Sequence, residues 1–193
     1  DVETRKGDKY ELDIEGVFSA AWSPKGNEIA YVGQSGNSSD IYIFDLKNQT
    51  SRKITDDIFS DAYPTWSGDG KNIAFVSDRG NKISGEYDGF MYEHDYSQTD
   101  IYSINVETKK IHRITKTDYN ESHPVWSKTS DNIFYTSDYN GVWNLFRHSV
   151  VEGEVFEPIP VTNVLTGLQQ PTISGDDKLL IFAGYSGIGW DLY

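Results

Sequence analysis

Two short stretches place a serine after a glycine at a spacing that could do chemistry. In "GYSGIG" Ser186 follows Gly184, and in "GQSGN" Ser35 follows Gly33. A hydrolase nucleophile elbow needs a second glycine two residues beyond the serine. The chain can then turn sharply from strand to helix and expose Oγ. Those positions hold Ile188 and Asn37, and no helical pattern follows either stretch. Both read as turns, and no catalytic residue is assigned. The sequence has no His-Glu-x-x-His, no phosphate-binding loop and no Gly-x-Gly-x-x-Gly. His94, His112, His123 and His148 are not at ligand spacing. "EHD" at 93–95 reads as a solvated loop rather than a metal site. Asn37, Asn48 and Asn120 head Asn-x-Ser/Thr triplets, which matter only in a eukaryotic secretory path.

Acidic residues recur at fixed places. Asp40, Asp100 and Asp191 each precede a strand-like run, and Ser-Asp pairs stand at 77–78 and 137–138. A short polar side chain at a strand entry bonds nearby backbone, so a structural role is expected for both sets. No cofactor is assigned. The pattern is compatible with calcium held by several such carboxylates and carbonyls. With 30 Asp and Glu against 17 Lys and Arg, the net charge is -13. Such a surface repels phosphate backbones and anionic lipid, so nucleic-acid and membrane partners are discounted. No run of 18 apolar residues is present, which leaves no candidate membrane span. There is no cysteine and therefore no disulfide framework.

The elements that would position these residues come from an internal repeat. "WSPKGNEIAYV" from Trp22 returns as "WSGDGKNIAFV" from Trp66, "WSKTSDNIFYT" from Trp126 and "ISGDDKLLIFA" from Ile173. Trp22 to Asp40, Trp126 to Asn144 and Ile173 to Asp191 each span 18 residues, whereas Trp66 to Asp100 spans 34. The second copy thus carries a 16-residue insertion in a period of about 44. Each period holds four short runs rich in β-branched and aromatic residues, a to d, which favour strands over helices. The quoted stretch is the a-to-b hairpin: Ser23 bonds the turn, Pro24 presets φ and Gly26 takes positive φ. Small Ala30 and Ala74 let sheets approach, and the tryptophan fills the space between them. Four-stranded sheets repeated at this period are the blades of an all-β propeller.

The same motifs carry a family resemblance. "WSPKGNEIAYV…SDIYIFDL…RKIT" and "YPTWSGDGKNIAFVSDRG…TDIYSINV…HRIT" resemble the PD40, or TolB-like, propeller repeat over nearly the whole chain. The third copy departs at the turn, with "KTS", and the fourth lacks the tryptophan. The resemblance implies a periplasmic or otherwise exported bacterial protein. It also implies a non-catalytic protein-binding scaffold, or an accessory propeller of a larger serine or zinc peptidase.

By alignment of the copies, residues 1–13 are expected to be the last strand of a preceding blade, with "KYELDI" as that strand. Blades follow at 14–55, 56–115, 116–162 and, incompletely, 163–193. The chain reads either as part of a larger ring or as a four-blade ring closed by its first strand.

In a propeller the d-to-a and b-to-c connections emerge on one side. The insertion, 80–99, is a b-to-c connection, and it shares that side with "DDIFSDAY" and "KTDYNESH". Aromatics mixed with carboxylates suit an interface. The expected interface residues are Asp57, Asp61, Tyr63, Tyr87, Asp88, Phe90, Tyr92, His94, Tyr96, Tyr119, Glu121 and His123. The expected partner is a protein or an adjoining domain. The alternative is that the insertion folds over its own blade.

Overall fold

Each period of the repeat forms one antiparallel meander. The computed structural model describes residues 3–5, 7–83, 91–151 and 157–193. The first sheet comprises β1 (Gly16–Trp22), β2 (Glu28–Ser35), β3 (Ser38–Asp45) and β4 (Thr50–Lys53). The second holds β5 (Asp61–Trp66), β6 (Asn72–Ser77), β7 (Asp100–Asn105) and β8 (Ile111–Arg113). The third holds β9 (Glu121–Trp126), β10 (Asn132–Ser137), β11 (Asn144–Ser149) and β12 (Ile159–Pro160). The fourth holds β13 (Leu168–Ile173), β14 (Leu180–Ser186) and β15 (Gly189–Leu192). In every sheet, neighbours in sequence are neighbours in space. The sheets stack in chain order through their first strands, β1 against β5, β5 against β9 and β9 against β13. This makes β1, β5, β9 and β13 the inner strands of consecutive propeller blades.

The core lies between blades, as the alternation of side chains across each strand requires. Ala30, Ala74, Ile73 and Ile133 are fully buried. Trp66 fills the gap between the first two blades, where its Nε1 donates to the Ala21 carbonyl at 3.2 Å. Trp126 repeats that placement one blade on. The hairpin turns work as their residues predict. Ser23 and Ser67 Oγ accept the backbone N–H of Glu28 and Asn72 at 3.1 and 3.0 Å, and Gly26 and Gly70 sit at φ 69° and 73°. The third turn reads Lys128-Thr129-Ser130 where the second reads Gly68-Asp69-Gly70. Its donors find Asp177 of the fourth blade, which accepts the N–H groups of Lys128 and Thr129, both at 2.8 Å.

One expected strand is absent. Residues 9–12 form no strand and 13–14 only a bend; the segment does not complete the fourth sheet, which has three strands. Tyr10 instead packs against Phe44 of the first blade, with the rings tilted and their centroids 4.9 Å apart, and the Glu15 N–H donates to the Gln34 carbonyl at 3.1 Å. The alternation of Tyr10, Leu12 and Ile14 is genuine, but it serves packing against the blade that follows.

Candidate functional site

The b-to-c and d-to-a connections of blades 2 and 3 do emerge together, and polar bonds lace them into one shelf. Asp78 Oδ1 accepts the Ser60 N–H at 2.9 Å, and Asp138 Oδ1 accepts the Asn120 N–H at 2.7 Å. The two Ser-Asp pairs therefore tie one loop to the other, the structural role their position suggests. The end of the insertion joins the same shelf. Thr99 N–H donates to Asn120 Oδ1 at 2.9 Å, and Gln98 Nε2 to the Tyr119 carbonyl at 2.6 Å.

Arg79 is the centre of the shelf on blade 2. It is 2% exposed. Its guanidinium donates to Asp57 Oδ2 at 2.9 Å, Asp61 Oδ1 at 2.7 Å and Ser77 Oγ at 3.0 Å. Its plane lies between 5.3 and 5.7 Å from the rings of Phe59, Phe75 and Tyr102. Burial lowers an arginine pKa and its two carboxylates raise it; the carboxylates win. Burial likewise lifts Asp61 to about 6 despite Arg79. The sequence reading missed Arg79. The signal was the difference between "SDRG" and "SDYN" at matching places, where one copy gains a cation.

The expected interface residues divide into four groups. Asp61 and Glu121 are each 1% exposed, so they lie beneath the face and cannot touch a partner on it. They open inner strands, where the chain enters the packed sheet. Tyr63 and His123 sit on β5 and β9 and face each other across neighbouring blades, with ring centroids 4.2 Å apart. Tyr63 also lines a cleft of about 570 Å³ between blades 1 and 2, with Phe18, Gln34, Asn37, Ser39 and Asp61. On the shelf itself are Asp57, His94, Tyr92, Tyr96 and Tyr119. His94 packs on Phe59 at 5.3 Å and approaches Asp78 at 3.4 Å, so this part of the insertion folds over its own blade. Tyr92, Tyr96 and Tyr119 stay 80%, 58% and 37% exposed. Tyr139, which was not expected, stands 4.8 Å from Tyr119 and is 46% exposed. Tyr87, Asp88 and Phe90 lie outside the described residues.

The recurring acids are structural and paired. Asp40 and Asp100 are fully buried. Lys53 Nζ stands 3.0 Å from Asp40, and Arg113 donates to Asp100 at 2.6 Å. Asp191 is exposed and accepts a hydrogen bond from Ser186 Oγ across the β14–β15 hairpin. That hairpin is the "GYSGIG" stretch, so its serine sits in a strand-to-strand turn. Among the described residues no group of three or more His, Asp or Glu is arranged to hold a metal ion. No helix among them is long and apolar enough to cross a membrane.

Antiparallel meanders, three of four strands and one of three, stacked through their inner strands define a β-propeller. Residues 1–84 match the family model of the PD40 TolB beta propeller domain. Over that stretch the chain is similar to PD40 repeats of the TolB-like kind. It is 29% identical over 163 residues to dipeptidyl-peptidase 5 of Porphyromonas gingivalis, covering 78% of this chain and 22% of that protein. It is 29% identical over 171 residues to the Tol-Pal system protein TolB of Francisella tularensis, covering 88% of this chain and 35% of the relative. The chain thus spans between about a fifth and a third of the curated relatives it matches. The fold matches TolB from Acinetobacter baumannii with a TM-score of 0.71 at 23% identity, over 92% of this chain and 40% of that one. A puromycin hydrolase matches with a TM-score of 0.65 at 12% identity, over 93% and 27%.

Proposed function

We propose that the segment is a non-catalytic docking unit of an exported bacterial propeller protein, and that the shelf over blades 2 and 3 receives a protein partner. The observation that carries this reading is the set of exposed rings, Tyr92, Tyr96, Tyr119 and Tyr139, on loops hydrogen-bonded to one another. Aromatic anchors on a preorganised surface bury area at little entropic cost. The net charge of -13 favours a partner of basic character. The relative named for the Tol-Pal system supports both docking and export.

A second reading makes the segment the accessory propeller of a peptidase whose chemistry lies in another domain. The relative named dipeptidyl-peptidase 5 supports it. One experiment separates the two. A photo-crosslinking residue replaces Tyr92 in the full-length natural protein, with Lys25 and Asn48, on opposite-side turns, as controls. Crosslinks to a second protein support docking, and crosslinks to another domain of the same chain support the accessory role. Crosslinking from Tyr92 no greater than from the controls would sink both. Hydrolysis by residues 1–193 alone, abolished by one substitution within them, would overturn the non-catalytic assignment.

A further inference from the structure

Ser19, Tyr63 and His123 hold one matching place, three residues before the tryptophan that ends their inner strand. At the junction of blades 2 and 3 that place carries a ring on both sides. His123 packs on Tyr63, with the rings tilted and their centroids 4.2 Å apart. At the junction of blades 1 and 2 it does not. Tyr63 there meets Ser19, whose Oγ accepts the Tyr63 N–H at 3.2 Å. A serine leaves unfilled the space that a ring takes one blade on. The adjoining b-to-c connection is also shorter. Blade 1 joins β2 to β3 through Gly36 and Asn37 alone, whereas the same connection of blade 2 runs from Asp78 to Thr99. Both differences remove atoms from the first junction, and the cleft of about 570 Å³ lies there. That volume is within the range of ligand pockets.

The lining narrows the class of ligand. Phe18 and Tyr63 present ring surface, 58% and 40% exposed. Gln34 and Asn37 add side-chain amides, and Ser60 a hydroxyl. A planar amide offers two donors and an acceptor, which suits adjacent hydroxyls of a sugar. The negative face of an aromatic ring attracts the polarised C–H groups of a pyranose. Among the described residues that line the cleft, none is Lys or Arg, and the one acid, Asp61, already holds Arg79 at 2.7 Å. An anionic ligand would find no countercharge in a chain of net charge -13. A cationic one would find only a carboxylate that an arginine has neutralised. An extended peptide adds to a sheet edge through a regular row of backbone groups. Both inner strands are bulged at the cleft, β1 between Val17 and Ala20 and β5 between Ala62 and Thr65, and a bulge breaks that row.

We infer that the cleft between blades 1 and 2 binds a neutral oligosaccharide, with one pyranose ring beside Ser19 and against Tyr63, in the place that the Tyr63 ring takes beside His123 one junction on. Gln34 and Asn37 hold its hydroxyls. Phe18 adds apolar surface for a neighbouring sugar unit. This site is separate from the tyrosine shelf and does not rest on the docking reading.

The test uses the full-length natural protein with cellohexaose, maltohexaose, xylohexaose and mannohexaose as probes, and a capped Ser-Ala hexapeptide for comparison. Affinity is read by titration calorimetry. Saturation-transfer NMR, irradiating the aromatic protons, shows which sugar protons lie on a ring. At least one of the four sugars should bind, with the strongest transfer to pyranose C–H protons. Ser19→Tyr supplies a ring from the chain itself and should weaken that binding at least about tenfold, because the ligand then clashes. Asn37→Ala, on the exposed turn, should weaken it about three- to tenfold, the loss of one hydrogen-bonding partner. If Ser19→Tyr does not fold, Asn37→Ala carries the test alone. Binding by none of the four sugars overturns the inference, and so does an affinity unchanged in these variants. Tighter binding of the capped peptide than of any sugar overturns it in favour of a peptide site. A failed crosslink from Tyr92 would sink the docking reading and leave this result standing.

Discussion

Arg79 joins two carboxylates, a serine and three rings in a site closed to water. Truncating it leaves Asp57 and Asp61 facing each other, with Asp61 wholly buried. Arg79→Ala should cost about 3–5 kcal/mol in urea denaturation, the usual penalty for orphaning a buried charge. Arg79→Lys should recover little of it, because an ammonium cannot span both acids while stacked on the rings. A second expectation concerns backbone. Tyr63, His123 and Gln170 occupy matching places in three inner strands, each at positive φ, 51°, 48° and 52°. Side chains pay steric strain there that glycine does not. Gln170→Gly should therefore stay within about 0.5 kcal/mol of wild type by thermal melting, instead of the ~1 kcal/mol expected of glycine in an ordinary strand. The strand was legible from its place just before the fourth hairpin anchor, Ile173, but the register shift inside it was not. A bulge leaves the residue types unchanged and alters only which partners they meet.

At the scale of the element, the blade junction sets the energetics. Trp66 is 1% exposed and Trp22 is 63% exposed, although both open the same hairpin. Trp66→Ala should cost about 3–5 kcal/mol, the range for emptying a buried aromatic site. Trp22→Ala in the same 193-residue chain should cost under about 1 kcal/mol, as surface changes do. Equal losses would mean that the face bearing Trp22 is covered. The turns show a junction of another kind. Desolvation raises Asp177, but hydrogen bonds from Ser127, Thr129 and the backbone outweigh it and hold its carboxyl far below the usual range. Gly68 allows the next contact, since a Cβ there would lie 2.4 Å from the Lys128 carbonyl. The sequence marked the third turn as irregular. It did not reveal that another blade supplies the missing acceptor, because that partner is 48 residues away.

Over the whole molecule, charge gives stability a definite pH dependence. Asp61 and Glu121 are raised to about 6 and 7, so their contribution is full below about pH 4 and declines as pH rises through those values. Asp69, Asp176 and Asp177 are lowered, so theirs is present above about pH 4 and lost below it. Stability in urea should peak between about pH 4 and 6 and fall toward pH 8. A rise from pH 5 to 8 would contradict these assignments. The outer faces matter as well. Val17, Phe18 and Trp22 on the first blade, and Leu192 and Tyr193 on the fourth, are all more than half exposed. Stacked units with uncovered apolar ends associate. Residues 1–193 alone should therefore scatter light as more than a monomer, whereas a monomer with one cooperative melt would show that the ends are satisfied.

The amino-acid sequence by itself determined the repeat, its strands and hairpin turns, the tight packing at Ala30, Ala74 and Trp66, and the side on which the long loops gather. These follow from periodicity and turn chemistry, which act over a few residues and survive in each copy. Only the tertiary structure decided which acids lie under the shelf and which rings stand on it. Asp61, Glu121, Tyr92 and Tyr119 all occur in polar loops or at their ends and look alike there. What separates them is the distance to the next blade: an acid at the mouth of an inner strand is drawn into the junction, and a ring two or more residues away remains in water.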